Sequence, residues 1–390
     1  MVQMVHCGRS VCAVSAILLS MAWLGAAQAV SPGPITLESP HDFQVFQRLT
    51  KTRGTVLVEG RALEAYDRAE ARITGNSPFG ELPAGWQPLT VDRALGTFHG
   101  DLQIASGGWY RFEVRLLDSG KAVASLEIPH VGVGEVFIVA GQSNATNYGE
   151  VRQETRTRMV SAFSVEGWRL ADDPQPGVQD GSKKGSFIPA FGDALSEQFH
   201  VPIGVADVGH GSTSVRQWLP KGSRFAVPPT MGKFVTQVGP NEWECDGTLF
   251  TGMMKAIDQL GQNGFRALLW HQGESDAHQK PGNDITADVY ARLLEKIIRS
   301  SREQAGWEFP WFVAQVSYHS PSDPSCPPIR EAQKSLWQSG IALEGPDTDQ
   351  LTGDNRQNGG TGVHMSDKGL QAHGRLWAEK VGAYLDKVLQ

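Results

Sequence analysis

Four short blocks of the 390-residue chain carry side chains suited to acyl chemistry. In "GEVFIVAGQSNATNYGE" an apolar, β-branched run breaks at once into Gly141-Gln142-Ser143-Asn144, residues that pack poorly in any core. The glycine permits a sharp turn and leaves the Ser143 hydroxyl at the start of the next segment, where it is a candidate nucleophile or an ordinary helix cap. In "VGHGSTSVRQW", Gly209 and Gly211 free backbone N–H groups to face an anion. "WHQGESDA" gathers His271, Gln272 and Glu274 on one short turn. Near the C-terminus, "GGTGVHMSDKGLQAHGRLWAEKV" sets His364 in a Gly-rich loop just before an amphipathic helix, from which its side chain can reach another strand end.

Two textures must supply the scaffold. From about Ile35 to Ile128, short alternating runs such as "TVLVEG" and "WYRFEVRLL", separated by Gly, Pro, Asn and Asp, predict a small all-β sandwich spanning residues 30–130. It holds no cluster of nucleophile, base and acid, which suits a structural or carbohydrate-facing accessory domain. After Pro129, "EVFIVA", "PIGVADV", "ALLWHQ" and "WFVAQV" are apolar runs suited to a parallel sheet covered on both faces. Helical spacing over Phe187–Phe199, Thr248–Leu260, Val289–Gln304 and Leu370–Leu389 completes a three-layer α/β domain over residues 131–390. Ligands bind at the carboxyl ends of such strands, and three of the four blocks sit there.

Composition sets the context. The chain is 40% hydrophobic and 20% charged, with a formal net charge of -7 and no Lys/Arg block, which fits a globular protein and excludes electrostatic nucleic-acid binding. Arg9, the apolar run Val11 to Leu24 and Ala27-Gln28-Ala29 have the order of a signal peptide over residues 1–29, implying a secreted or periplasmic protein. The run is shorter than the ~20 apolar residues of a membrane span. Cys7 and Cys12 would leave with the signal; Cys245 and Cys326 remain as one possible pair or two free thiols.

Taken in order, the four blocks resemble the SGNH/GDSL hydrolase superfamily, in particular its carbohydrate esterases typified by sialate O-acetylesterases and acetyl xylan esterases. The resemblance runs from about Gly132 to Leu385 and includes the connectors "LFTGMMKAIDQLG" and "PIREAQKSLW". It implies that Ser143 is the nucleophile and His364 the base. It also implies oxyanion donors at the Ser143 and Gly211 N–H groups and the Gln272 amide, with an acetylated carbohydrate as substrate and neither metal nor organic cofactor. Asn144 and, more weakly, Trp218 are candidates for substrate contact. A serine hydroxyl needs such a base, which takes its proton during attack and returns it to the leaving sugar alcohol.

One position departs from the pattern. Relatives of this type carry an aspartate three residues before the histidine; this chain has Thr361. Glu274 is the first substitute and Asp354 the second, unless Ser143 and His364 act as a dyad. Glu274 has a plainer role open to it, bracing its loop. His210, His271, His278 and His373 lack metal-binding helical spacing, and Trp270 and Trp311 suit a core as well as a sugar platform. Two other functions stay open: a catalytically silent carbohydrate-binding protein of the same fold, and a peptidoglycan O-acetylesterase. The small residues Ala145, Thr146 and Asn147 beside Ser143 favour short acyl groups.

Overall fold

The structure is a computed structural model that describes residues 34–63 and 65–390. The expected signal peptide, with Cys7 and Cys12, lies outside the described residues. Eight strands come first: β1 (Ile35–Ser39), β2 (Gln44–Gln47), β3 (Arg53–Ala62), β4 (Arg68–Thr74), β5 (Gln87–Asp92), β6 (Thr97–Ala105), β7 (Gly107–Asp118) and β8 (Lys121–Gly141). Alternation does what it predicts here. Val56 and Val58 of β3, Ala69, Ala71 and Ile73 of β4, and Phe112, Val114 and Leu116 of β7 all turn inward onto one core.

This β region is continuous with the rest of the chain. Its strands follow one hydrogen-bonded path, β1-β3-β6-β5-β4-β7-β8, and β8 runs on for 21 residues into the α/β layer. The boundary expected at residue 130 therefore falls inside a continuous strand. Polar residues reinforce the junction. Fully buried Glu135 accepts from Arg48 Nε at 2.6 Å, Arg266 Nε at 2.8 Å and Gln47 Nε2 at 2.9 Å, tying β2 and the approach to the next strands onto β8.

The second half adds β9 (Val160–Ser164), β10 (Gly167–Leu170), α1 (Ile188–Phe199), β11 (Ile203–Asp207) and a small sheet of β12 (Arg224–Phe225), β13 (Val235–Gly239) and β14 (Glu242–Cys245). Then come α2 (Thr248–Leu260), β15 (Ala267–His271), the one-turn α3 (Glu274–Ala277), α4 (Ala287–Ala305), β16 (Trp311–Gln315) and α5 (Pro327–Gln338). β17 (Leu343–Asp347), the short α6 (Gln357–Gly360) and α7 (Asp367–Val388) complete the chain. Strands β9, β11, β8, β15, β16 and β17 lie parallel in that order, with β10 antiparallel on the β9 edge.

Successive residues of β8 explain the three layers. Val136, Ile138 and Ala140 face a core shared with α2, α4 and α5, whereas Phe137 and Val139 face one shared with α1 and α7. A strand buried on both sides reads as an unbroken apolar run, which is why "EVFIVA" is legible. Helix α5 hides in the connector "PIREAQKSLW", and β9 with the edge strands β10 and β17 carries too little apolar pattern to stand out. Cys245 and Cys326 are free thiols, not a disulfide.

Candidate active site

Strands β11, β8 and β15 are neighbours, so three of the four blocks emerge side by side at one sheet edge. Gly141 ends β8 at φ +136°, and a Cβ there would lie 2.1 Å from the His271 carbonyl oxygen; only glycine allows β8 and β15 to stay this close. The chain then enters a 3₁₀ turn over Ser143–Ala145. Gln142 Oε1 accepts from the Ser275 N–H at 3.0 Å and the Gln272 amide at 3.2 Å, which joins the serine turn to the β15 turn.

A second buried network ties in the β11 loop. The Asp276 carboxylate accepts from Ser214 Oγ at 2.6 Å, the Val215 N–H at 2.7 Å and the Gln272 amide at 2.8 Å, and it pairs with buried Arg216 at 3.3 Å. Sequence reasoning missed both Asp276 and Arg216, although each lies inside a quoted block. The fourth element arrives from across the sheet. Ser366 caps α7 by accepting from the Gly369 N–H, which leaves His364 in the loop two residues before the cap. Buried Arg356 donates to the Leu351, Thr348 and Val363 carbonyls and so shapes that loop.

Ser143 and His364 line the same cleft, about 290 Å³ in volume, with Ser212, Ser275, His278, His319 and Val363. No hydrogen bond joins the two, and such catalytic contacts commonly tighten only in the substrate complex. A larger groove of about 800 Å³ runs between β1 to β3 and the β9–β10 hairpin, but none of the four blocks reaches it. The backbone N–H groups of Ser143 and Ser212 have no hydrogen-bond partner among the described residues. Ser212 sits at φ +58°, in the left-handed region.

Several expected site residues are engaged elsewhere. The Gly211 N–H donates to the Asp180 carboxylate at 2.6 Å rather than facing the cleft. Gln272 is fully buried: its amide nitrogen is held by Thr213, Asp276 and Gln142, and its oxygen accepts from Tyr290. Trp218 is also fully buried, bonded to Thr213 and edge-on to Trp270, so no sugar can stack on it. Asn144 donates to Glu274 at 2.9 Å and to the Val363 carbonyl at 3.2 Å; it braces the serine turn against the histidine loop instead of facing a ligand.

Glu274 makes no hydrogen bond to His364. Its carboxylate meets Asn144, lies 3.9 Å from His271 Nδ1, and burial pushes its pKa up to about 7 against the opposing Asn144 bond. Asp354 is exposed and pairs with Lys368, and Thr361 Oγ1 bonds back to the Asn358 carbonyl. His364 Nδ1 instead meets the Gln357 side-chain amide at 3.1 Å, while its ring packs against Tyr148 with centroids 5.0 Å apart. Burial, with Lys184 and Arg356 nearby, lowers the His364 pKa to about 4. No sequence signal pointed to Gln357 or Ser212.

The family described as carbohydrate esterase, sialic acid-specific acetylesterase matches residues 133–383, from the last stretch of β8 to α7. The chain belongs to that family. Among solved structures, a carbohydrate acetylesterase from Xanthomonas citri is 18% identical, covers 87% of this chain and 72% of its own, and superposes with a TM-score of 0.53. A protein from Arabidopsis thaliana is 19% identical over 65% of this chain and 98% of its own, with a TM-score of 0.45. A search of curated proteins returned no match. The family's esterase activity thus attaches to the α/β half; the Xanthomonas likeness shows that the fold, β region included, has a solved counterpart.

Proposed function

We propose that this member of the acetylesterase family is an exported enzyme that removes acetyl groups from sugar hydroxyls, with Ser143 as nucleophile and His364 as base. The observation that carries this reading is the shared cleft: a serine at the turn after β8 and a histidine ahead of α7, 221 positions apart in the chain, both line one small cavity. The export half of the reading rests on residues 1–29 alone. Among the described residues no helix is long and apolar enough to cross a membrane.

Ser143 Oγ attacks the acetyl carbonyl carbon as His364 Nε2 takes its proton. The carbonyl oxygen becomes an oxyanion, and the unpaired N–H groups of Ser143 and Ser212 are the donors suited to it, in place of Gly211 and Gln272. Collapse expels the sugar oxygen, protonated by His364, and leaves an acetyl-serine. Water attacks that ester with His364 again as base, releasing acetate and free Ser143. The cleft is small, about 290 Å³, which favours acetyl over long-chain esters.

Ser143→Ala tests the assignment. Turnover of 4-nitrophenyl acetate by the folded variant should fall by at least about a thousandfold, since loss of the nucleophile removes the acyl-enzyme route. A variant that keeps a tenth or so of wild-type kcat would exclude Ser143 as nucleophile.

A further inference from the structure

His364 lacks the aspartate expected three residues before it. Thr361 stands at that position, exposed and bonded to Asn358. Glu274 is bonded instead to Asn144, which also holds the Val363 carbonyl. The group that meets Nδ1 comes from four residues further back. Gln357 and His364 close a loop on each other: the Gln357 N–H donates to the His364 carbonyl at 3.0 Å, the Gly362 N–H donates to the Gln357 carbonyl at 3.0 Å, and the side-chain amide of Gln357 reaches His364 Nδ1 at 3.1 Å. Gly362 makes room for this. A Cβ at that position would lie 2.4 Å from Gln357 Cγ.

We propose that Gln357 is the positioning residue of His364, a neutral amide that takes the place of the carboxylate and selects the imidazole tautomer. The inference rests on Ser143 and His364 being nucleophile and base. A primary amide can offer Nδ1 either a donor or, after a half-turn about its last side-chain bond, an acceptor. With the nitrogen toward Nδ1 and donating to it, the ring proton belongs on Nε2 and that atom cannot accept the Ser143 proton. With the oxygen toward Nδ1, that nitrogen carries the proton and Nε2 presents its lone pair to the cleft. The half-turned amide is the productive state, and Gln357 orients the ring without touching substrate.

A neutral partner has a second consequence. It cannot compensate the imidazolium formed during attack, and the charged groups facing the ring do not help: Lys184 approaches from the loop before α1 and Arg356 from the segment leading into α6. Tyr148 packs against the ring and has Asp180 near its own hydroxyl, and Glu274 is spent on Asn144. His364 therefore stays unprotonated far into the acid range, with its pKa lowered to about 4, so kcat/KM should hold as pH falls through the ~6.5 of free imidazole.

Two variants of the full chain test this by kinetics and by imidazole ¹⁵N NMR, with His364→Asn used to assign the ring. Gln357→Leu should lower kcat roughly tenfold to a hundredfold with KM unchanged, less than the ~10⁴ lost when a carboxylate partner gives way to an amide. Gln357→Glu, close in shape, should keep the ring oriented and move both the acid limb and the ring titration upward by about one to two pH units. Unchanged kcat in Gln357→Leu, or a Gln357→Glu ring that titrates where the wild type does, overturns the proposal. The NMR arm needs no turnover. An active Ser143→Ala would therefore remove the catalytic reading and still leave the Gln357 contact decided.

Discussion

The two ends of the parallel part of β8 each bury a glutamate, and they treat it in opposite ways. At the entry, Glu135 is bound by two arginines and an amide, so its charge is compensated where it stands. At the exit, Glu274 receives one bond from Asn144, its Oε2 has no partner among the described residues, and neither do Asn144 Oδ1 or His271 Nδ1. A buried polar group without a partner costs stability. The entry is built to hold the β region to the α/β layer, whereas the exit carries unmet polar groups beside the cleft, as functional sites often do.

That contrast can be broken from either end. Glu135→Leu removes the only carboxylate among the described residues that compensates buried Arg48, and losing one partner of a buried pair costs about 3–5 kcal/mol. Chemical unfolding should report a loss of that size, while kcat of the folded fraction stays at the wild-type value. A loss of under about 1 kcal/mol would place Glu135 among pairs that contribute little.

Glu274→Gln should act in the other direction and more weakly. The folded-state pKa of Glu274, about 7, lies above its ordinary 4.5, so its protonated form is the one that favours folding. That contribution is full below about pH 4.5 and is lost as pH rises through about 7. Glutamine keeps the acceptor for Asn144 and is never charged, so the variant should melt above the wild type at about pH 8, with the gap narrowing toward about pH 5. A melting difference that does not change with pH would mean that Glu274 titrates normally. Its kcat should change less than tenfold or so, because Gln357, not Glu274, meets His364. Asp354→Asn is the smallest change: the carboxylate is exposed beside Lys368, and both kcat and melting temperature should stay within error, measured alongside the other variants.

The sequence carried the blocks and the layers because both are local signals. An unbroken apolar run such as "EVFIVA" implies burial on two faces, and the helical spacing over Thr248–Leu260 matches α2 from end to end. The abrupt Gly-Gln-Ser-Asn ending of β8 marked where the chain stops packing and starts presenting side chains. Helix α7 likewise put His364 just outside a capped start. What stayed hidden was the partner of each group. Gly211, Gln272 and Trp218 have the right types in the right blocks, yet Asp180, Asp276 and Thr213 claim their donors. Two of those claims come from only 4 and 5 positions away and the third from 31, and none is marked by a pattern in the sequence, because each depends on how a turn or loop folds back on itself. Gln357 is the extreme case. An amide in a Gly-rich loop has no period, charge or motif to mark it, and its meeting with His364 depends on how Arg356 and Gly362 bend the loop. Sequence determines which groups are present and roughly which face they share; tertiary structure decides which lone pairs and protons remain unspent, because a hydrogen bond is fixed by geometry at the scale of an ångström.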